Sequence, residues 1–263
     1  MPALRRQWTD TVDRELFIPE IIWVQREAGA PLTPLSRSAE PGEWHRLVAS
    51  DEPLVTQVAD GWLPVSSSTG RPIMNLMLNE LGLRPGIRVL EIGTGTGWNA
   101  AIMAEAGAEV TTIEIDPRVA GRARRALDDA GYRQVRVVCG DGEAGWPEGS
   151  PYDALIATAA AHTIPYPWVA QTRVGGRLVV PYCGPRHPRG LAVLTVRRGG
   201  VAWGRIVDDN APFMALRGQW LSPPQLRDIG EPEPGLTIEV RATGQRVRRV
   251  PVPGLHSPRT RQR

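Results

Sequence analysis

The sequence predicts a doubly wound α/β fold, and three observations predict it. A short apolar run, Arg88 to Ile92, reads as a buried strand; glycines follow at alternate positions, Gly93, Gly95 and Gly97, and then an alanine-rich helical pattern, Asn99 to Ala106. A second strand, Glu109 to Ile115, ends in Glu114-Ile115-Asp116-Pro117. A third, Gln134 to Val138, runs into Cys139-Gly140-Asp141-Gly142. Strand, glycine turn and helix form the nucleotide-cradling unit of open α/β sheets. Glycine lets the backbone turn tightly and admits a ligand where a Cβ would stand. The helix start then presents unpaired N–H groups.

Spacing discriminates between ligands. Dinucleotide binders use G-x-G-x-x-G, whereas here the pattern is Gly93-x-Gly95-x-Gly97, with Glu91 just before it. That disfavours a dinucleotide oxidoreductase. The tighter version resembles motif I of class I S-adenosylmethionine (SAM) methyltransferases, a Rossmann-like α/β class. The resemblance makes Glu91, Gly93, Thr94, Gly95 and Gly97 candidate cofactor-binding positions. An acid at the tip of the second strand suits both ribose hydroxyls, which assigns Glu114; Asp116 before Pro117 reads as a helix cap. The resemblance to SAM methyltransferases implies that Asp141, with Gly142, reaches the adenine amino group, although glycine-flanked Asp is also ordinary turn chemistry.

Composition sets the outer bounds. A chain of 263 residues can bury a sizeable core as one large domain or a domain with an appended piece. The net charge is only +3, all 31 basic residues are Arg, and the basic excess gathers at the C-terminus, so no nucleic-acid face is expected. Cys139 and Cys183 lack metal-ligand spacing and suggest no disulfide framework; the four His are scattered, and no metal is expected. No leader sequence or membrane-spanning run is apparent, so a cytoplasmic enzyme with no membrane partner is expected, most simply a monomer.

In chain order, residues 1–64 read as a helical cap or lid. Arg5 to Leu16 suggests a helix, Phe17 to Trp23 an apolar stretch broken by Pro19, and Glu43 to Ala49 a second short helix. Trp8, Trp23 and Trp44 read as packing residues, and Thr56 to Ala59 as a brief strand. Val65 to Pro72, with Ser66, Ser67, Ser68 and Thr69, reads as a polar loop before a helix over Ile73 to Leu81. Residues 65–218 form the core. It holds an amphipathic helix over Arg118 to Ala130, a fourth strand over Tyr152 to Thr158 and a short helix over Trp168 to Thr172. A fifth strand spans Arg177 to Pro181, and a strand pair, Leu191 to Val196 and Val201 to Val207, turns at Arg198-Gly199-Gly200. Residues 219–263 form a proline-broken extension with a possible strand pair, Leu236 to Ala242 and Gln245 to Val250, and a disordered tail, Pro258 to Arg263.

Several pieces converge on one family: the hydroxyl segment before motif I, Gly140-Asp141-Gly142, Thr158-Ala159-Ala160-Ala161-His162-Thr163-Ile164-Pro165, and Gly175-Gly176-Arg177-Leu178-Val179-Val180-Pro181. With motif I they resemble the protein-L-isoaspartate O-methyltransferases, over about Val65 to Gly218. The resemblance implies a seven-stranded, mostly parallel sheet with helices on both faces, SAM as methyl donor and S-adenosylhomocysteine as product. It also implies a peptide or protein substrate carrying Asp or isoAsp. The family's hydroxyl residue beside the reacting carboxylate maps to Thr69 first and Ser68 second, with the proline displaced by one. Ser67 and His162 fall on the substrate side. The N-terminal segment and the long C-terminal extension look like the actinobacterial branch that modifies ribosomally made peptides in lasso-peptide, lanthipeptide or graspetide pathways. There an ordinary Asp is methylated and the ester collapses to an aspartimide.

That chemistry explains what the sequence lacks. A carboxylate is already ionised at neutral pH, so in-line methyl transfer needs no general base. Alignment and exclusion of water are the enzyme's contributions. Other readings stay open: a general repair methyltransferase, a small-molecule methyltransferase, or a SAM-binding scaffold without activity. The small-molecule reading does not account for Ser66 to Pro72 together with Ala159 to Pro165. The scaffold reading would tolerate loss of Glu114, Asp141 and the hydroxyl segment, all present here.

Overall fold

The computed structural model describes residues 6–184, 187–208, 211–220 and 235–249. In chain order the elements are β1 (Ile21–Val24), β2 (Thr33–Ser36), α1 (Pro41–Ala49), β3 (Leu54–Ala59), β4 (Leu63–Ser68), α2 (Arg71–Leu81), β5 (Arg88–Ile92) and α3 (Trp98–Glu105). There follow β6 (Glu109–Glu114), α4 (Pro117–Asp129), β7 (Arg136–Cys139), β8 (Tyr152–Ala157), α5 (Tyr166–Ala170) and β9 (Thr172–Gly184). Then come β10 (His187–Arg197), β11 (Val201–Asp208), β12 (Leu236–Arg241) and β13 (Gly244–Arg249).

The main sheet has nine strands in the order β13-β12-β11-β10-β9-β8-β5-β6-β7. From β7 to β9 neighbours run parallel; from β9 to β13 they form an antiparallel meander. The strand order reverses between β5 and β8, which opens a crevice at the carboxyl ends of those strands. Alternation along β5 sends Val89 to one face and Leu90 to the other. Val89 packs with Leu78, Trp98 and Ile102, and Leu90 with Ile113, Leu155 and Trp168. Removing such fully buried side chains from water contributes about 1.5–3 kcal/mol each. α3 and α4 are the crossovers that carry the chain from β5 to β6 and from β6 to β7.

A second sheet, β2-β1-β3-β4, packs Ile22, Leu35 and Leu54 against Trp44 of α1. This corrects three expectations. The N-terminal piece is built on a four-stranded sheet rather than being a helical cap, and it runs through Ser68 because β4 pairs with β3, so a boundary at residue 64 cuts a hairpin. The described part of the helix expected over Arg5 to Leu16, from Arg6 on, is not one helix but holds two 3-10 turns, Trp8–Asp10 and Arg14–Phe17, the second begun by Asp13 capping the Glu15 N–H. Val65 to Ser68 is strand, not loop. Its hydroxyls find partners on the buried side: Ser66 Oγ lies 3.3 Å from Thr56 Oγ1, and Ser68 Oγ accepts from Arg14 Nε at 3.0 Å.

The sheet also exceeds the seven strands expected, because β12 and β13 from the C-terminal extension continue it beyond β11. That strand pair lies where the sequence places it, turning before Gly244. The expected disordered tail, Pro258 to Arg263, lies outside the described residues. Among the described residues no helix is long and apolar enough to cross a membrane.

Candidate active site

The glycine turn follows directly from β5. Gly93, Gly95 and Gly97 all have positive φ (93°, 55° and 90°), which other residues rarely adopt. At Gly93 a Cβ would also stand 2.7 Å from Thr158 Oγ1, and at Gly142 a Cβ would stand 2.6 Å from Ile92 Cγ2. Those two glycines keep the floor of the crevice free. Glu114, at the tip of β6, ties the turn down: its Oε2 accepts from Gly95 N at 3.0 Å and its Oε1 from Asp116 N at 3.1 Å. Asp116 caps α4 by accepting from Arg118 N and Val119 N, as its place before Pro117 predicts.

Around this turn lies a cleft lined by Gly93, Gly95, Glu114, Asp141, Gly142 and Ser67 among others. Ile92, Ile113 and Ile115 form its apolar wall, and the segment from Met214 to Arg217 with Trp220 its far side. That segment is stitched to the loop after β8: Ala160 N donates to Met214 O and Leu216 N to Ala160 O. A larger groove adjoins the cleft and is lined by Asp51, Glu52, Thr69, Pro72, Ile73 and Phe213, among others. Ser67, Thr158 and Met214 line both, so the two spaces meet at these three residues.

β4 explains the division among the hydroxyls. Alternation buries Ser66 and Ser68, although Ser66 still borders the smaller cleft, and leaves Ser67 and Thr69 half-buried toward the clefts. Thr69 therefore lines the groove as expected, whereas Ser68 does not. It is 2% exposed and its Oγ is held by Arg14. Ser67, expected only as a substrate contact, sits at the junction, with its carbonyl 3.4 Å from the Cβ position of Gly95. Once Val65 to Ser68 is recognised as strand, period-two alternation alone separates the two pairs.

Three other expected positions lie beneath the site instead of in it. Thr94 is buried with its hydroxyl 2.7 Å from Thr112 Oγ1. Gly97 packs against Leu127 at the start of α3. Glu91 is fully buried; its Oε1 accepts from Asn99 Nδ2 at 2.7 Å, while Oε2 and Asn99 Oδ1 have no partner. Burial above all, with the nearby Glu114 charge, pushes its pKa up to about 7 against the hydrogen bond from Asn99. His162 is placed elsewhere too. It lines a separate depression with Glu143, Gln219 and Trp220, its Nδ1 3.4 Å from Cys183 O. The strap from Met214 to Trp220 is a part of the site that the sequence does not mark, because nothing in its composition signals a ligand.

A glycine cradle without Cβ atoms, two acid-tipped strands and an apolar wall fit an adenosyl group bearing a sulfonium. Fold and site together define a class I SAM-dependent methyltransferase. Within that class, residues 52–199 match the family profile of protein-L-isoaspartate(D-aspartate) O-methyltransferase (PCMT). The chain is 43% identical over 164 residues to the protein-L-isoaspartate O-methyltransferase of Gloeobacter violaceus, covering 61% of this chain and 76% of that one. It is 40% identical over 192 residues to that of Hyperthermus butylicus, covering 68% and 76%. The chain belongs to the protein-L-isoaspartate O-methyltransferase family. A solved structure of that name superposes with a TM-score of 0.64 over 92% of this chain and 83% of its own, at 22% identity. One from Plasmodium falciparum, in complex with S-adenosyl-L-homocysteine, gives 0.55 over 66% and 83%, at 17% identity. These two likenesses are of fold.

Proposed function

We propose that this enzyme methylates the free carboxylate of an Asp or isoAsp residue (the β-carboxylate of Asp, the α-carboxylate of isoAsp) in a constrained peptide, so that the ester collapses to an aspartimide. The observation that carries the carboxylate reading is the junction of the two spaces at Ser67, Thr158 and Met214. The smaller cleft, with Glu114 at its ribose end and Asp141 at its adenine end, is the assigned SAM site. SAM supplies an electrophilic methyl group carried on a sulfonium.

The chain's own residues then have three tasks. Ser67 and Thr69 donate hydrogen bonds that hold the carboxylate at the junction without neutralising it. Thr158, whose hydroxyl donates to Gly93 O, keeps the floor of the junction in place. Met214 and Phe213 close the groove with apolar surface, which strips water from the nucleophile. No side chain need act as a base, since the carboxylate arrives ionised. After transfer, the next backbone nitrogen attacks the ester carbonyl, methanol leaves and a five-membered ring closes.

The preference for a dedicated peptide over general repair is supported by what lies outside the family match. Strands β1 and β2 with α1 precede residue 52, and β11, β12 and β13 follow residue 199. Both additions are ordered parts of the two sheets and not loose ends. Intact-mass measurement after adding SAM to two substrates tests this. One is a generic isoaspartyl peptide, the other a constrained precursor peptide encoded beside the gene. Methyl gain followed by methanol loss on the precursor alone supports tailoring. Methyl gain on the generic peptide alone makes this a repair enzyme.

A further inference from the structure

Arg14 is 0% exposed and lines neither cleft, yet it is bonded to the segment that does. Its Nε donates to Ser68 Oγ at 3.0 Å, and its Nη1 to the carbonyls of Ser50 and Glu52 at 3.2 and 3.0 Å. Its Nη2 donates to the carbonyls of Glu52, Ser68 and Thr69 at 3.1, 3.0 and 3.0 Å. Every one of these acceptors is a neutral oxygen, and among the described residues no ion pair involves Arg14. Burial, followed by the neighbouring Arg71 charge, draws its pKa down to about 10, so it is still charged at neutral pH. The guanidinium carbon lies 5.2 Å from the centre of the Trp98 ring, and Trp98 Nε1 in turn donates to Val12 O at 3.0 Å.

We infer that Arg14 is the positioning residue of the acceptor side: its guanidinium clamps Ser68 and Thr69 to the turn at Ser50 to Glu52 and so aims the Ser67 and Thr69 hydroxyls into the groove. The inference rests on the carboxylate reading above for its kinetic consequence, and on geometry alone for its structural one. A burial of this kind is costly unless every donor is used. A compact core needs no charge here; a clamp between two segments with five acceptors suits a planar fork. Lys keeps the charge but offers three donors from a single point on a flexible stem and cannot reproduce that fork.

The test compares Arg14→Lys and Arg14→Gln with the wild type in three measurements. They are kcat and KM on the peptide that the wild type methylates, SAM affinity by calorimetry, and deuterium uptake over residues 66–70. The expected result is a kcat lowered tenfold or more in both variants, SAM affinity within twofold, and faster uptake over that segment. A kcat within twofold of wild type overturns the inference, as does unchanged uptake or full rescue by Lys. A tenfold loss of SAM affinity also overturns it, because the role would then not belong to the acceptor side. If the wild type methylates neither peptide, the proposed function fails, and uptake over residues 66–70 still decides the clamp. Should both variants fail to fold, Ser68→Ala, which removes one acceptor of the fork, takes their place: a several-fold lower kcat with faster uptake supports the clamp, and wild-type values overturn it.

Discussion

Glu91 and Asn99 form a buried pair beneath the glycine turn, joined through Oε1 and Nδ2 at 2.7 Å, with one unpartnered oxygen on each side chain. A proton on Glu91 Oε2 turns one of these two unpartnered acceptors into a donor. Glu91→Gln places an amide N–H at the same point and removes the charge permanently. The carboxyl pKa is raised from 4.5 to about 7, which corresponds to roughly 3 kcal/mol as an upper figure. The sign follows from linkage. The folded state holds the proton more tightly than the unfolded state, so the contribution is fully present below about pH 4.5. It is lost as pH rises through about 7. The wild type is therefore expected to lose stability between these limits, and Glu91→Gln to lack this component. Urea unfolding monitored by tryptophan fluorescence, repeated from pH 5 to pH 8.5, reads the difference. Near pH 5 the two proteins should be close; at pH 8.5 the variant should be more stable by up to about 3 kcal/mol, several degrees in Tm. Parallel stability curves, or a variant less stable at pH 8.5, would refute the reasoning.

Four further outcomes follow from the site. Gly142→Ala brings a Cβ to 2.6 Å from Ile92 Cγ2, and is expected to cost about 1–3 kcal/mol in thermal stability and to weaken SAM binding. Asp141→Ala should lower SAM affinity about tenfold by calorimetry, the size of a hydrogen bond to a charged group; unchanged affinity removes it from the adenine assignment. Ser67→Ala combined with Thr69→Ala should reduce kcat tenfold or more while SAM binding stays within twofold; surviving turnover would leave β4 a purely structural strand. His162→Ala should leave kcat/KM on the peptide within twofold, since His162 lines a depression apart from the groove.

The central βαβ unit was readable from sequence because its signals are local. Apolar runs bounded by glycines mark β5, and a capping Asp before Pro117 marks α4. Acid-tipped strands then mark the mouth of the crevice, and Gly93, Gly95, Glu114, Asp141 and Gly142 all line it. What failed depends on pairing across the chain. Val65 to Ser68 has the composition of a loop, and only its partner β3 makes it a strand. Misreading that segment hid the alternation that separates Ser67 and Thr69 from Ser68. The helix expected over Arg5 to Leu16 lost to tertiary contacts: Trp98 takes the carbonyl of Val12, and Arg14 spends its donors on distant carbonyls. Glu91 and Thr94 belong to the motif, but burial turns their side chains away from the cleft and makes them its support.

The most direct measurement is transfer of isotope-labelled methyl from SAM to a peptide, followed by mild base. A matched peptide with Asn at the acceptor position serves as control. Label that enters only the carboxylate peptide, and leaves it as methanol on base treatment, is the result this account predicts. Label that enters the Asn peptide, or stays bound through base treatment, would contradict it, because the acceptor would then not be a carboxylate oxygen.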